Sequence, residues 1–69
     1  MKTFTAIIER DSQTGYYVGY VPEFPGAHSQ AETIDELRTN LVEVITMLLE
    51  DNARPDQVEF VGTQQIVVA

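Results

Sequence analysis

The chain has 69 residues, no cysteine, and eleven acidic against four basic side chains, for a formal net charge of −7. These values allow one domain over residues 1–69. They exclude disulfides, a thiolate metal site and the cationic surface on which nucleic-acid binding depends. A domain of this size buries only about 60% of the surface that its unfolded chain exposes. We therefore expect a homo-oligomer, either a dimer or a tetramer.

The N-terminal part of the chain predicts a β-hairpin. Lys2–Glu9 alternates and is rich in Thr, Ile and Phe, which is typical of a strand. Arg10–Gly15 is a polar turn that ends in a glycine able to take positive φ. Tyr16–Val21 is a second strand of aromatic and β-branched residues, and Pro22 ends its pairing because proline has no N–H for the ladder.

The bend that follows contains two prolines and a glycine. Pro25 and Gly26 fit a type II turn, with proline fixing φ at the second position and glycine supplying positive φ at the third. The stretch "AHSQ" after this turn is short and predicts a third strand.

The next segment predicts an amphipathic helix. Thr33 and Glu36 have the spacing of a capping box, and acidic residues fill the first turn, where the helix dipole favours them. Asn52 fits a left-handed cap, and Pro55 prevents continuation. One apolar stripe recurs at three- and four-residue steps through Ile34, Leu37, Leu41, Val44 or Ile45, and Leu48.

Val58–Ala69 is an apolar, β-rich segment broken at Gly62, and we expect it to form a fourth strand. As a free edge it would promote aggregation, so we expect it to pair inside the sheet or across a dimer. The predicted fold is α+β with the order β-β-β-α-β: one mostly antiparallel four-stranded sheet with one helix on one face. A right-handed crossover would return the last strand parallel to the third. The second sheet face stays uncovered, which again favours self-association.

No residue pattern in the chain indicates catalysis, a cofactor or a metal. His28 and Ser29 are adjacent in a strand and therefore point to opposite faces. Glu32, Asp35 and Glu36 could collect a cation, but two of them fit helix capping better. The four glycines are too dispersed for a phosphate loop. We expect a protein that is not an enzyme.

Several motifs, in this order, resemble the HicB family of antitoxins. They are "GYYVGY", "VPEFPG", "HSQAET" and the acidic helix start, which together give "P-x-F-P-G" followed by "S-Q-x-x-T-x-x-E-L". The resemblance covers nearly the whole chain and implies a partial ribonuclease H-like fold without that nuclease's carboxylate cluster. It also implies a partner, a small basic toxin of the HicA type that cleaves messenger RNA. Full-length relatives often carry a C-terminal DNA-binding module; none follows in this sequence, so we expect no direct nucleic-acid binding.

Two functional hypotheses remain open. The first is an antitoxin-like module of a type II toxin–antitoxin system that neutralises the toxin by occlusion; the second is an orphan homo-oligomeric scaffold or small-ligand binder without a toxin. No leader or membrane span is evident, so we expect a cytoplasmic protein. The candidate partner-binding residues lie in and beside the bend: Tyr20, Glu23, Phe24, Pro25, His28, Glu32, Asp35 and Glu36.

Overall fold

The computed structural model describes residues 2–55 and 58–69. Three strands form one antiparallel sheet in the order β1-β2-β3, and one helix follows them. The elements are β1 (Ile7–Arg10), β2 (Tyr17–Val21), β3 (Phe24–Ala31) and α1 (Ile34–Glu50).

The first hairpin is confirmed, although β1 is shorter than the predicted strand. Pairing begins only at Ile7, which lies opposite Tyr20. In the connecting turn, Gly15 has φ 77°, as predicted. Its backbone N–H donates to the carbonyl of Asp11 over 2.8 Å, and the Asp11 N–H donates to the carbonyl of Tyr16 over 2.9 Å. A side chain at position 15 would be strained in this left-handed region.

The second turn differs from the prediction. The chain reverses at Pro22 and Glu23, because Val21 pairs with Phe24 directly across them. The type II turn predicted at Pro25 and Gly26 is wrong: Gly26 has no positive φ, and both residues belong to β3. The register between β2 and β3 shifts at Tyr20 and Val21, so Pro25 has no partner in the regular ladder. Proline has no N–H to donate to a ladder, so no hydrogen bond is lost at this position.

The helix begins and ends where the capping residues predicted. The backbone N–H of Glu36 donates to the Thr33 side-chain oxygen over 3.1 Å. Asn52 has φ 63° and donates its N–H to the carbonyl of Leu49 over 3.1 Å. Both ends of α1 therefore have partners for backbone groups that the helix itself leaves unpaired.

Replacing Thr33 with alanine should lower the free energy of unfolding by about 1 kcal/mol, because the N–H of Glu36 would lose its acceptor. Urea denaturation followed by circular dichroism measures this change. Thr33→Ser keeps the hydroxyl and is the matched control, expected to stay close to the wild-type midpoint. An alanine variant as stable as the serine variant would contradict a capping role.

The core lies between α1 and one face of the sheet. Gly19 makes this contact close: a Cβ there would lie 3.0 Å from Leu37 Cδ2 and 3.1 Å from Leu41 Cδ1. Ile8 lies opposite Gly19 and shares its face. The buried apolar residues are Val21, Phe24, Ala27, Ala31, Leu37 and Leu41.

The predicted fourth strand is wrong, and with it the β-β-β-α-β order, the four-stranded sheet and the parallel crossover. Residues 58–69 contain no helix or strand. Val61 is 92% exposed and Val67 is 94% exposed. A β-rich apolar run becomes a strand only where it pairs with the edge of a sheet, and residues 58–69 pair with no strand of the described sheet.

Candidate functional site

The eight candidate contact residues all lie along or beside β3, but the structure divides them into three groups. The "hairpin end" comprises Glu23, Phe24 and Pro25. The "outer-face row" comprises Tyr20 and His28. The "helix start" comprises Glu32, Asp35 and Glu36. The register shift makes Phe24–Ala31 span only the four residue steps from Val21 to Tyr17 on β2. At about 3.3 Å per residue, the hairpin end and the helix start are separated by roughly 13 Å along the sheet.

Phe24 at the hairpin end is a core residue. Its side chain is 2% exposed, and its ring meets the ring of Phe4 edge-on, with 5.2 Å between centroids and 63° between planes. Pro25 is exposed and Glu23 is half-buried in the turn. The buried ring therefore anchors the bend, while its two neighbours remain accessible.

The outer-face row lies on the sheet face opposite α1. Tyr20 pairs with Ile7 on one side and with His28 on the other, so the three side chains share this face. Tyr20 is 40% exposed and His28 is exposed. A shallow groove beside them is lined by Val18, His28, Ser29 and Gln30.

The helix start combines carboxylates with apolar and aromatic groups. Glu32, Asp35 and Glu36 are all exposed. The Tyr16 hydroxyl donates to Glu32 Oε1 over 3.3 Å, which ties the end of the first hairpin to the end of β3. A shallow groove at this end is lined by Tyr17, Glu32, Thr33, Ile34 and Asp35.

Two further residues lie at the helix start, Ile34 and Tyr16, and neither is among the sequence-based candidates. Ile34 was assigned to the core stripe, yet it is 50% exposed. Its position directly after the N-cap is the signal that could have indicated this, because the first helical residue lies at the rim of the buried face. Tyr16 is the first residue of the predicted second strand, and only the tertiary contact with Glu32 places it at the helix start.

Arg10 and Tyr17 form a further surface contact at the same end of the sheet. The two residues are paired across β1 and β2, and the Arg10 guanidinium carbon lies 5.9 Å from the centroid of the Tyr17 ring. This distance is within the range of a cation–π interaction. The positive charge of Arg10 therefore lies over the Tyr17 ring, next to the helix start.

The described part of the chain contains neither a candidate metal cluster nor a membrane-spanning helix. Within residues 2–55 and 58–69, no three His, Asp or Glu side chains come close enough together to hold a metal ion. The helix of this part of the chain is too short and too polar to cross a bilayer.

Comparison with known proteins gives a consistent family. Residues 4–66 match the model of the HicB-like antitoxins of bacterial toxin–antitoxin systems. A UPF0150 protein of Synechocystis sp. is 46% identical, over 94% of this chain and 93% of its own length. A UPF0150 protein of Thermotoga maritima is 43% identical, over 97% of this chain and 91% of its own length.

A third UPF0150 protein, from Archaeoglobus fulgidus, is 42% identical over 94% of this chain and 93% of its own length. No solved structure gives a significant match. The family model spans all the residues of the sheet, the bend and the helix. The chain belongs to the HicB-like antitoxin family.

Proposed function

We propose that this protein is an antitoxin-like binding module that neutralises a small basic, mRNA-cleaving toxin of the HicA type by occlusion. The observation that carries the proposal is an exposed acidic surface in a chain of this family. Glu32, Asp35 and Glu36 are exposed within one turn of the start of α1, in a molecule with net charge −7.

The charge of this surface favours a cationic partner. A surface of one sign raises the rate of encounter with a partner of the opposite sign and disfavours other partners. Asp35 and Glu36 also stabilise the positive end of the helix dipole, so part of their charge serves the fold. Glu32 lies outside the helix, so its charge does not serve the helix dipole, although one of its oxygens accepts from Tyr16.

One partner can reach all three groups along β3. A standard interface covers about 800 Å² on each protein, which corresponds to a patch roughly 32 Å across. This exceeds the separation of roughly 13 Å along the sheet between the hairpin end and the helix start. In this arrangement Glu23, Pro25, Tyr20 and His28 contact the partner, while Phe24 supports the bend from the core.

The proposed mechanism requires no cofactor and no catalytic residue. The module covers the toxin's RNA-binding surface and active site, so messenger RNA is excluded by steric and charge repulsion. Both proteins act in the cytoplasm, where messenger RNA is found. Self-association is part of the same proposal, because large apolar side chains outside the three groups are exposed, Val42 and Val67 among them.

Replacing Glu32 with lysine should weaken binding of the HicA-type toxin about tenfold at low salt, because the reversed charge repels a basic surface. The dissociation constant is measured by calorimetry between about 0.05 and 0.5 M salt. The difference from wild type should shrink as salt rises, since the screening length falls from about 10 Å at 0.1 M to about 3 Å at 1 M.

Glu50→Lys is the matched control. It makes the same change in net charge at the other end of α1, about 24 Å away from Ile34 at 1.5 Å per residue. Equal weakening by the two variants would mean that total charge, and not the helix start, governs binding. A toxin affinity indifferent to both variants and to salt would favour the orphan scaffold instead.

A further inference from the structure

The few cationic side chains of the chain are unevenly placed. The sequence has four of them against eleven acidic residues. Two of the four, Lys2 and Arg38, line one groove between α1 and residues 2–4. Among the described residues, no carboxylate lines this groove. The local charge there is therefore opposite in sign to the net charge of −7.

The groove combines an apolar floor with a cationic rim. Its volume is about 520 Å³, which is within the range of small-molecule sites. Phe4, Ile45 and Leu49 form the floor, and the exposed Lys2 and Arg38 stand at its edges on different elements. Along α1 the groove extends from Arg38 to Leu49, which is roughly 16 Å at 1.5 Å per residue. These dimensions suit a small amphiphile that lies along the helix.

A smaller cavity of about 220 Å³ adjoins the groove. The two share four lining residues, Arg38 and Val42 among them, so they form one continuous site. Apart from Arg38, every residue that lines the smaller cavity is apolar, and the lining reaches the buried Val21 and Leu41. An apolar body placed in this cavity leaves its polar head beside Arg38.

We propose that this site binds a free medium-chain carboxylic acid, with the carboxylate between Lys2 and Arg38 and the acyl chain in the smaller cavity. A guanidinium can hold a carboxylate by two parallel hydrogen bonds, and an ammonium adds a point charge. Each methylene group that the cavity removes from water adds to the affinity. The volume of the cavity limits the acyl chain to medium length.

The charges of the molecule favour a free acid over other amphiphiles. A cationic amphiphile would meet like charges at Lys2 and Arg38. An anionic bilayer would repel a molecule of net charge −7, whereas a single small anion can enter the groove. The inference does not depend on a toxin, because none of the eight candidate contact residues lines either cavity.

Three amphiphiles with the same chain and different heads test the site: octanoate, octanol and octylammonium. Backbone amide chemical shifts of the full, isotope-labelled chain report both the location and the dissociation constant. We expect octanoate to bind at least about tenfold more tightly than octylammonium, with the largest shifts at Phe4, Val42 and Ile45. The net charge of −7 favours the cation, so a preference for the anion requires local positive charge. Equal or tighter binding of octylammonium, or shifts confined to other residues, overturns the proposal.

Removal of one cation tests the carboxylate position. Arg38→Gln should weaken octanoate binding about tenfold and leave octanol binding within about twofold, because only the charged head loses a partner. Arg10→Gln is the matched control: it makes the same change in net charge on β1, and Arg10 lines neither cavity. It should change octanoate binding less than about twofold, since a distant exposed charge is screened. Equal weakening by the two variants overturns the assignment to Arg38.

A carboxylate placed in the groove tests the acyl position. Val42→Asp should abolish binding of both octanoate and octanol, because Val42 lies where the groove and the smaller cavity meet. Val58→Asp is the matched control, since Val42 is 57% and Val58 is 51% exposed and Val58 lines neither cavity. Binding that survives Val42→Asp, or that both variants abolish, overturns this position. Each of these failures leaves the toxin-binding test unaffected.

Discussion

Replacing Phe24 with alanine is expected to leave the protein largely unfolded at 25 °C. The side chain is 2% exposed and packs against Phe4. Truncation of a buried phenylalanine costs about 3–5 kcal/mol, since apolar burial is lost and a cavity remains. The total stability of a chain of this length is only about 3–10 kcal/mol, so one such loss is comparable to all of it.

Circular dichroism and urea denaturation measure this effect, and Pro25→Ala is the matched control in the same bend. Pro25 is exposed, so its replacement should change stability by less than about 1 kcal/mol. The pair of variants separates a packing role from a contact role. A folded Phe24→Ala protein of normal stability that had lost only toxin binding would contradict the placement of Phe24 in the core.

Replacing Gly19 with valine is expected to destabilise the fold by about 1–3 kcal/mol through overpacking. A Cβ alone would approach Leu37 and Leu41 to 3.0 and 3.1 Å, and valine adds two methyl groups beyond it. Leu37 is fully buried and Leu41 is 5% exposed, so neither side chain has space into which to move. The helix would have to shift away from β2.

Gly26→Val is the matched control for this effect. A Cβ at Gly26 would meet no atom within 4 Å, and this glycine lies in the neighbouring strand without positive φ. We expect its urea midpoint to stay within the range of ordinary surface substitutions, about 0.5 kcal/mol. Equal destabilisation by the two valines would show that glycine is needed for backbone freedom and not for the approach of the helix.

The helix and the first hairpin were predictable because their signals are local. Thr33, Glu36 and Asn52 act on backbone groups within one turn of themselves, so their spacing in the sequence is sufficient. Gly15 likewise supplies the positive φ that its own turn requires. These interactions do not depend on what the rest of the chain does.

The second turn was misplaced because two prolines competed for it. Pro25 followed by glycine is the stronger local signal for a type II turn. The tertiary structure overrides it, since a reversal at Pro22 and Glu23 buries both Val21 and Phe24 against the helix side of the sheet. The free energy gained by burying two large apolar side chains is larger than the local preference for a type II turn.

The candidate site was predicted as a set of residues but not as an arrangement. Sequence order placed Glu23 and Glu32 in one stretch, whereas they lie at opposite ends of β3. The contact between Tyr16 and Glu32 joins residues of different elements, and no spacing rule indicates it. The fourth strand failed for a related reason, because strand formation depends on an available edge and not on composition alone.

The proposed function is tested most directly by RNA cleavage. The cleavage rate of a HicA-type toxin from the same genome is measured while the folded wild-type protein is added in steps. We expect the rate to fall in proportion to the added protein, to be abolished once the two are stoichiometric, and to recover as salt is raised. A cleavage rate that stays constant at a large excess of folded protein and low salt would contradict neutralisation by occlusion.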